Sequence, residues 1–180
     1  NLKNDDEVVS VHVTDGNYEL FVASNKGYGL WYHESEVNPV GQRAAGVKAI
    51  QLKKDEYVVS GEVFDDLSEP SIVLVTQRGA CKRMKLSEFE QSTRAKRGLV
   101  MLRELKSRPH RVAGLLFVDD NELIEFQTKN GEIHEIYPLK LNKSDRYSNG
   151  SFIIDTDITG EVIAVWKKTQ LKKPFAEKEE

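Results

Sequence analysis

The sequence predicts an all-β fold, a broken β-propeller arc of about three four-stranded blades. Three observations carry that prediction: glycines at a fixed spacing, alternating apolar runs on both sides of them, and almost no helical periodicity. Gly27, Gly79 and Gly131 stand 52 residues apart, and so do Gly46, Gly98 and Gly150. A period near fifty with four strands per unit is the signature of a propeller blade, which buries its faces only against neighbouring blades. Three units and one orphan strand are too few to close a ring, so an open arc is expected.

Each unit begins with a leading apolar run: residues 7–13 (EVVSVHV), 57–64 (YVVSGEVF) and 111–118 (RVAGLLFV), with an orphan fourth at 161–166 (EVIAVW). A hairpin follows at residues 20–32 (LFVASNKGYGLWY), 72–86 (IVLVTQRGACKRMKL) and 123–137 (LIEFQTKNGEIHEIY). In each, a polar pair precedes the glycine, which takes the positive φ of a tight turn. The flanks are rich in Val, Ile, Phe and Tyr and alternate as half-buried strands do. After a polar connection comes the second glycine and a trailing run: 47–52 (VKAIQL), 99–102 (LVML) and 151–154 (SFII). Helix is expected for no more than a turn near 34–37 and 86–89. The repeats, about 6–52, 55–102, 108–155 and a partial 159–166, form one unit over residues 1–167. Residues 168–180, nearly devoid of apolar side chains, read as a disordered tail. The chain opens on Asn1 rather than methionine and is expected to be cut from a longer protein, with further blades lost upstream.

Composition excludes several functions. No apolar run is long enough to span a bilayer and no signal peptide is present, so a cytoplasmic, membrane-free setting is expected. A single cysteine, Cys81, permits neither an internal disulfide nor a zinc-thiolate cluster, and His12, His33, His110 and His134 lie too far apart to make an H-x-x-x-H pair. No metal or cofactor is expected. No G-x-x-x-x-G-K-[ST] loop supplies a nucleotide site. The paired carboxylates Asp5-Asp6, Asp65-Asp66 and Asp119-Asp120 flank leading strands, where solvated turns belong. Trp31 and Trp166 read as blade core, and the six tyrosines as packing residues, including Tyr147 beside Arg146.

The net charge of −3 hides a segregation. Residues 71–111 hold eleven bases (Arg78, Lys82, Arg83, Lys85, Arg94, Lys96, Arg97, Arg103, Lys106, Arg108 and Arg111) against three acids, a balance of +8 that leaves −11 elsewhere. Lys82, Arg83 and Lys85 fall on the returning strand of the second hairpin; Arg94, Lys96 and Arg97 fill the connection before Gly98. The matching connections carry Gln42, Arg43 and Lys48 in the first unit and Arg146 in the third. If units stack, the repeat brings these cations to one outer edge, a row suited to duplex phosphates. Any one of them could be a solvated surface charge; the clustering points to nucleic acid. No aromatic ladder interrupts the bases, which favours backbone reading of a duplex over stacking of single strands. A protein-interaction platform using the acidic remainder is the competing class.

Residues 27–37 (GYGLWYHESEV), 41–52 (GQRAAGVKAIQL), 93–111 (TRAKRGLVMLRELKSRPHR) and 144–154 (SDRYSNGSFII) resemble blades of the C-terminal domains of bacterial type IIA topoisomerase A subunits. The likeness runs from about residue 6 to 166 and is nearer to topoisomerase IV of Gram-positive bacteria than to gyrase. It implies a β-pinwheel, in which blades exchange strands, with duplex DNA bound and bent around a basic rim built from Arg43, Lys48 and the eleven bases above. It implies a parent that uses ATP and Mg²⁺ outside this domain, acts on the bacterial nucleoid and pairs with an ATPase B subunit, while this portion alone is no enzyme. Gyrase wraps DNA through a Q-R-R-G-G-x-G box. Here residues 42–48 read QRAAGVK, with alanines at two of its positions, which speaks for relaxation and decatenation instead.

Overall fold

The computed structural model describes residues 2, 5–65, 69–119 and 121–168. In chain order its strands are β1 (Glu19–Ser24), β2 (Tyr28–His33), β3 (Val58–Phe64), β4 (Ser71–Thr76), β5 (Ala80–Lys85), β6 (Leu99–Val100), β7 (Val112–Val118), β8 (Ile124–Thr128), β9 (Ile133–Ile136), β10 (Ser151–Phe152) and β11 (Val162–Lys167). The hairpins form where the glycines predict them. Gly27, Gly79 and Gly131 have φ of 81°, 77° and 88°, and their N–H groups bond to the carbonyls of Ser24, Thr76 and Thr128.

Sheets and sequence repeats are out of phase. Each hairpin is completed by the leading and trailing strands of the following repeat, so the sheets run β3-β1-β2-β6 and β7-β4-β5-β10, with a third, β11-β8-β9. All pairings between the named strands are antiparallel, and a bulge falls at the same point in each leading strand's ladder, at Ala23/Ser24, Val75/Thr76 and Val162/Ala164. Leading strands of successive sheets pack side by side, β3 on β7 and β7 on β11. Ser60 Oγ on β3 donates to the Leu115 carbonyl on β7 at 2.5 Å. Leading strands are therefore innermost and trailing strands lie at the outer rim. Exchange of strands between neighbours, implied by the resemblance, is what the topology contains.

Apolar faces meet between sheets. Phe21, Phe64, Leu74, Met84, Phe89, Met101 and Phe117 fill the space between the first and second; Val73, Val75, Cys81, Ile124, Phe126 and Val162 fill that between the second and third. Phe21 packs edge-on against Phe89 with centroids 4.9 Å apart, and Phe64 lies 4.8 Å from Phe117. At about 1.5–3 kcal/mol for each large side chain removed from water, these two interfaces hold the arc together.

Several expectations are corrected. The leading run 7–13 and trailing run 47–52 form no strand, and Val13 is 95% exposed; the corresponding runs of the later repeats pair with the hairpin of the repeat before them, and the described residues contain no hairpin ahead of residue 7. Lys168 belongs to the sheet, its N–H bonding to the Leu123 carbonyl at 2.8 Å; residues 169–180 lie outside the described residues. Asp66 and Asp120 of the paired carboxylates lie outside them as well. Single-turn 3₁₀ helices occur at Glu34–Glu36 and Leu86–Glu88 as predicted, with a third at Pro138–Lys140 and one α-helical turn, α1 (Thr156–Thr159), that alternation did not signal. Tyr32 is core, but Tyr57, Tyr137 and Tyr147 are exposed rather than packed.

Candidate nucleic-acid interface

Arg43, Lys48, Arg94, Lys96, Arg97 and Arg146 sit on the connections that carry the chain from one sheet to the rim of the preceding one, while Lys82, Arg83 and Lys85 lie on β5, Arg78 in its hairpin turn, and Arg103, Lys106, Arg108 and Arg111 between β6 and β7. Each connection starts with a 3₁₀ turn, crosses between sheets and ends at Gly98 or Gly150 before the trailing strand. Both glycines are left-handed (φ 80° and 78°), and a Cβ on either would stand 2.5 Å from the carbonyl oxygen of Gly29 or Cys81. Only glycine lets the connection meet the returning strand that closely.

Many of the predicted cations hold these connections in place. Arg94 donates from Nε to the Glu36 carbonyl (2.9 Å) and from a terminal nitrogen to the Lys48 carbonyl (2.5 Å). Arg97 pairs at 2.5 Å with Glu56, whose side chain is fully buried, and its guanidinium lies 3.5 Å over the Tyr28 ring. Burial raises the Glu56 pKa, but hydrogen bonds from Arg97, Ser24 and the Lys53 N–H together outweigh it and hold the carboxyl below its ordinary range. Arg78 donates to the Arg108 carbonyl (2.5 Å) and sits beside buried His110, whose pKa is lowered by burial and by that guanidinium.

Lys82 is a correction. It is 1% exposed, so it is not on the rim; its ammonium donates to the carbonyls of Met101 (2.5 Å), Ser148 (2.6 Å) and Arg146 (2.9 Å), tying the segment after β6 and the connection before Gly150 to β5. Burial pulls its pKa down to about 8. Arg83 is likewise only 7% exposed, lining with Lys85, Lys143 and Trp31 a cleft of roughly 660 Å³. The 52-residue register pairs Arg83 with Lys143 as it pairs Trp31 with Gln91, a signal that could have added Lys143 to the site from sequence. Arg108 and Arg111 form ion pairs with Asp157 and Glu104 at 3.3 and 3.0 Å.

The cations left facing water are Lys48, Lys85, Lys96, Arg103 and Lys106, whose side chains enter no ion pair among the described residues; Arg43 is exposed too. Arg103 is held from behind, its N–H and carbonyl both bonded to the Asn149 side chain. The structure thus divides the predicted site into clamps (Lys82, Arg94, Arg97) and exposed charges at the rim. Trp31 and Trp166 are half-buried and direct their indole N–H groups to Glu19 (2.6 Å) and Glu125 (3.0 Å). Among the described residues no group of His, Cys, Asp and Glu side chains could hold a metal ion, and no helix is long and apolar enough to cross a membrane.

Fold and rim together define a class: a strand-exchanging β-propeller-like repeat protein whose inter-blade connections carry the positive charge. Residues 1–15, 18–65 and 70–119 match the family described as DNA gyrase C-terminal domain, beta-propeller, and the chain belongs to that family. It is 54% identical over 167 residues to the A subunit of DNA topoisomerase 4 from Bacillus subtilis (strain 168), covering 93% of this chain and 20% of that protein. It is 41% identical over 163 residues to the corresponding protein of Staphylococcus epidermidis, covering 89% of this chain and 20% of that protein. The chain thus spans about a fifth of the length of these relatives. Among solved structures, the C-terminal domain of DNA topoisomerase IV superposes with a TM-score of 0.90 at 54% identity, over 93% of this chain and 51% of that one. The DNA gyrase A C-terminal domain superposes at 0.81 over 93% of this chain and 56% of that one; at 18% identity it shares the fold.

Proposed function

We propose that this chain binds duplex DNA along its outer rim as part of a topoisomerase IV A subunit, bending a segment and presenting it to a catalytic core for relaxation and decatenation. The observation that carries this reading is the exposure of Lys48, Lys85, Lys96, Arg103 and Lys106 at the rim, without ion pairs among the described residues. Charges without partners in the protein are the ones that can displace counterions from phosphates. The 54% identity to a topoisomerase 4 A subunit supports the parent enzyme. In that setting the remainder of the A subunit, the ATPase B subunit, ATP and Mg²⁺ act outside this domain, in the bacterial cytoplasm at the nucleoid, and this portion has no activity of its own. Residues 42–48 (QRAAGVK) do not make a wrapping box, which disfavours gyrase-type wrapping through this segment.

One observation favours a protein partner at the third sheet. Where the exposed Lys85 ends β5, the same register after β9 carries Tyr137, and Glu135 stands in the place of Arg83. A duplex held at the second sheet finds no matching charge there.

The test is fluorescence anisotropy of a labelled duplex of roughly 40 base pairs across a salt series. If about five phosphates are neutralised, log affinity falls against log salt with a slope near −4.5. Changing Lys96, Arg103 and Lys106 together to glutamate should weaken binding and flatten that slope. No binding at low salt, or an unchanged slope in the variant, would remove the rim as the site.

A further inference from the structure

The outermost strand of the second sheet, β10, carries an aromatic ring that stands out from the rim: Phe152 is 60% exposed. A lone exposed apolar side chain is ordinary on a protein surface. This one is set among cations. The Arg78 guanidinium lies 5.5 Å from the ring centroid, and Arg108 lines with Phe152 a hollow of roughly 250 Å³. Arg103 is fastened through its N–H and carbonyl to the side chain of Asn149, three residues before the ring. Arg103 and Arg108 are both exposed. The acids of the hollow are engaged, Asp157 with Arg108 and Asp155 as the cap of α1.

Phe152 lies outside the basic stretch 71–111 in sequence, and strand exchange carries it there, opposite Ala80. Its place is fixed. The ring leans on His110, 5.7 Å away and tilted by 38°, and His110 is buried with Nδ1 3.2 Å from Thr76 Oγ1. The next residue's N–H, that of Ile153, bonds to the Gly79 carbonyl at 2.9 Å. Ring and cations occur together only in this sheet. At the positions 52 residues earlier, the first sheet has Val100, Lys26, Gln51 and Glu56 in place of Phe152, Arg78, Arg103 and Arg108.

We propose that Phe152 is the groove contact of the bound duplex: its ring seats in the minor groove against the deoxyribose edges, and Arg103 and Arg108 take phosphates beside it. This rests on the reading of the rim as a duplex-binding surface. The minor groove is about 6 Å wide and walled by sugars, which ask no hydrogen bond of a ring; the major groove, about 12 Å wide, is too broad for one ring to fill. Insertion between base pairs fits less well, because a wedge in the minor groove bends the duplex toward the major groove and so away from the rim. The Arg108–Asp157 pair joins two exposed groups 3.3 Å apart, an interaction that a phosphate can replace.

The test uses the full 180-residue chain and a labelled duplex, bound across a salt series. Phe152→Ala should weaken binding about tenfold at every salt concentration and leave the log–log slope unchanged, because a neutral ring displaces no counterion. Phe152→Leu should recover most of that loss, whereas Arg103→Ala should flatten the slope by about 0.9. Netropsin, which fills the minor groove of an A·T duplex, should erase the difference between the native chain and Phe152→Ala. Glucosylated hydroxymethylcytosine, which fills the major groove, should preserve it. Urea midpoints should match the native one, as for other exposed positions. Equal affinity of the native chain and Phe152→Ala, with Arg103→Ala still flattening the slope, overturns the groove contact and leaves the rim reading standing. A flattened slope in Phe152→Ala overturns it too, as does a difference that survives netropsin. No duplex binding by the native chain at low salt removes the rim reading and the groove contact together.

Discussion

Arg94 and Arg146, 52 residues apart, make the same set of bonds to the preceding repeat. Arg94 offers its backbone N–H to the Glu36 carboxylate, Nε to the Glu36 carbonyl and a terminal nitrogen to the Lys48 carbonyl; Arg146 does the same to Glu88, Glu88 and Val100. The planar guanidinium reaches two carbonyls at once, which an ammonium cannot do in that geometry. Each arginine therefore pins an exchanged connection to the sheet it crosses into. Arg94→Ala or Arg146→Ala should each lower stability by about 1.5–3 kcal/mol, and lysine should recover only part of it. Urea midpoints at constant m-value check this; a loss under about 0.5 kcal/mol would deny the clamp.

Arg97 and Glu56 form the other junction at the first sheet. Removing the arginine leaves the buried Glu56 carboxylate without its counter-charge, held only by the Ser24 hydroxyl and the Lys53 N–H, and Arg97→Ala should cost about 3 kcal/mol, the low end for a broken buried pair. Because the Glu56 pKa is depressed in the folded chain, its contribution is present above the unfolded value of 4.5 and is lost as pH falls through the folded value. Glu56→Gln should thus be less stable than the native chain at pH 7, and the difference should shrink as pH falls below 4.5. Parallel stability curves over that range would count against the assignment.

Lys82 should act in the opposite pH range. Below about 8 its amine is protonated in both states. Between about 8 and 10.5 the unfolded chain keeps a proton that the folded chain has released, so stability from this group rises with pH across that window. Lys82→Met should remove that rise. Urea midpoints at pH 7.5, 8.5 and 9.5 for both chains decide it, and an equal slope in the two would show that the amine does not titrate there.

The hairpins and their phase are legible because two properties coincide in the sequence, β alternation and a glycine that must be left-handed. Alternation, however, says nothing about which hairpin a strand joins, and so the leading run 7–13 looks as good a strand as β3. Charge counting has a similar limit. Arg94 and Lys96 are both cations in the same connection, but only the fold shows that one is spent on two carbonyls and the other faces water. Lys82 is the hardest case, since a lysine on an alternating strand gives no sign that three carbonyls from two distant segments will converge on it.

The second glycine series permits a controlled comparison. Gly98 and Gly150 each combine a positive φ with a carbonyl where a side chain would go, whereas Gly46 has the φ alone. Gly46→Ala should cost the left-handed penalty of about 1–2 kcal/mol. Gly98→Ala and Gly150→Ala should cost distinctly more, because the trailing strand must retreat from the returning one. Thermal midpoints of the three variants give the order, and equal shifts would show that close approach contributes nothing.

The division of the cations into clamps and exposed charges predicts two different phenotypes from the same basic stretch. Arg94→Ala and Arg97→Ala should unfold at lower urea yet, where they remain folded, bind duplex DNA with a salt slope close to the native one, since those guanidinium groups already donate to Glu36, Lys48 and Glu56. Changing Lys96, Arg103 and Lys106 to glutamate should leave the unfolding free energy from urea titration within about 0.5 kcal/mol of native per substitution, as exposed substitutions do. Each phosphate that is no longer neutralised should reduce the slope by about 0.9. Measuring stability and salt slope on the same preparations separates the two effects. If the clamp variants instead flatten the slope while folded, those arginines reach phosphate as well as protein, and the DNA path runs closer to the junctions between sheets than the exposed charges indicate.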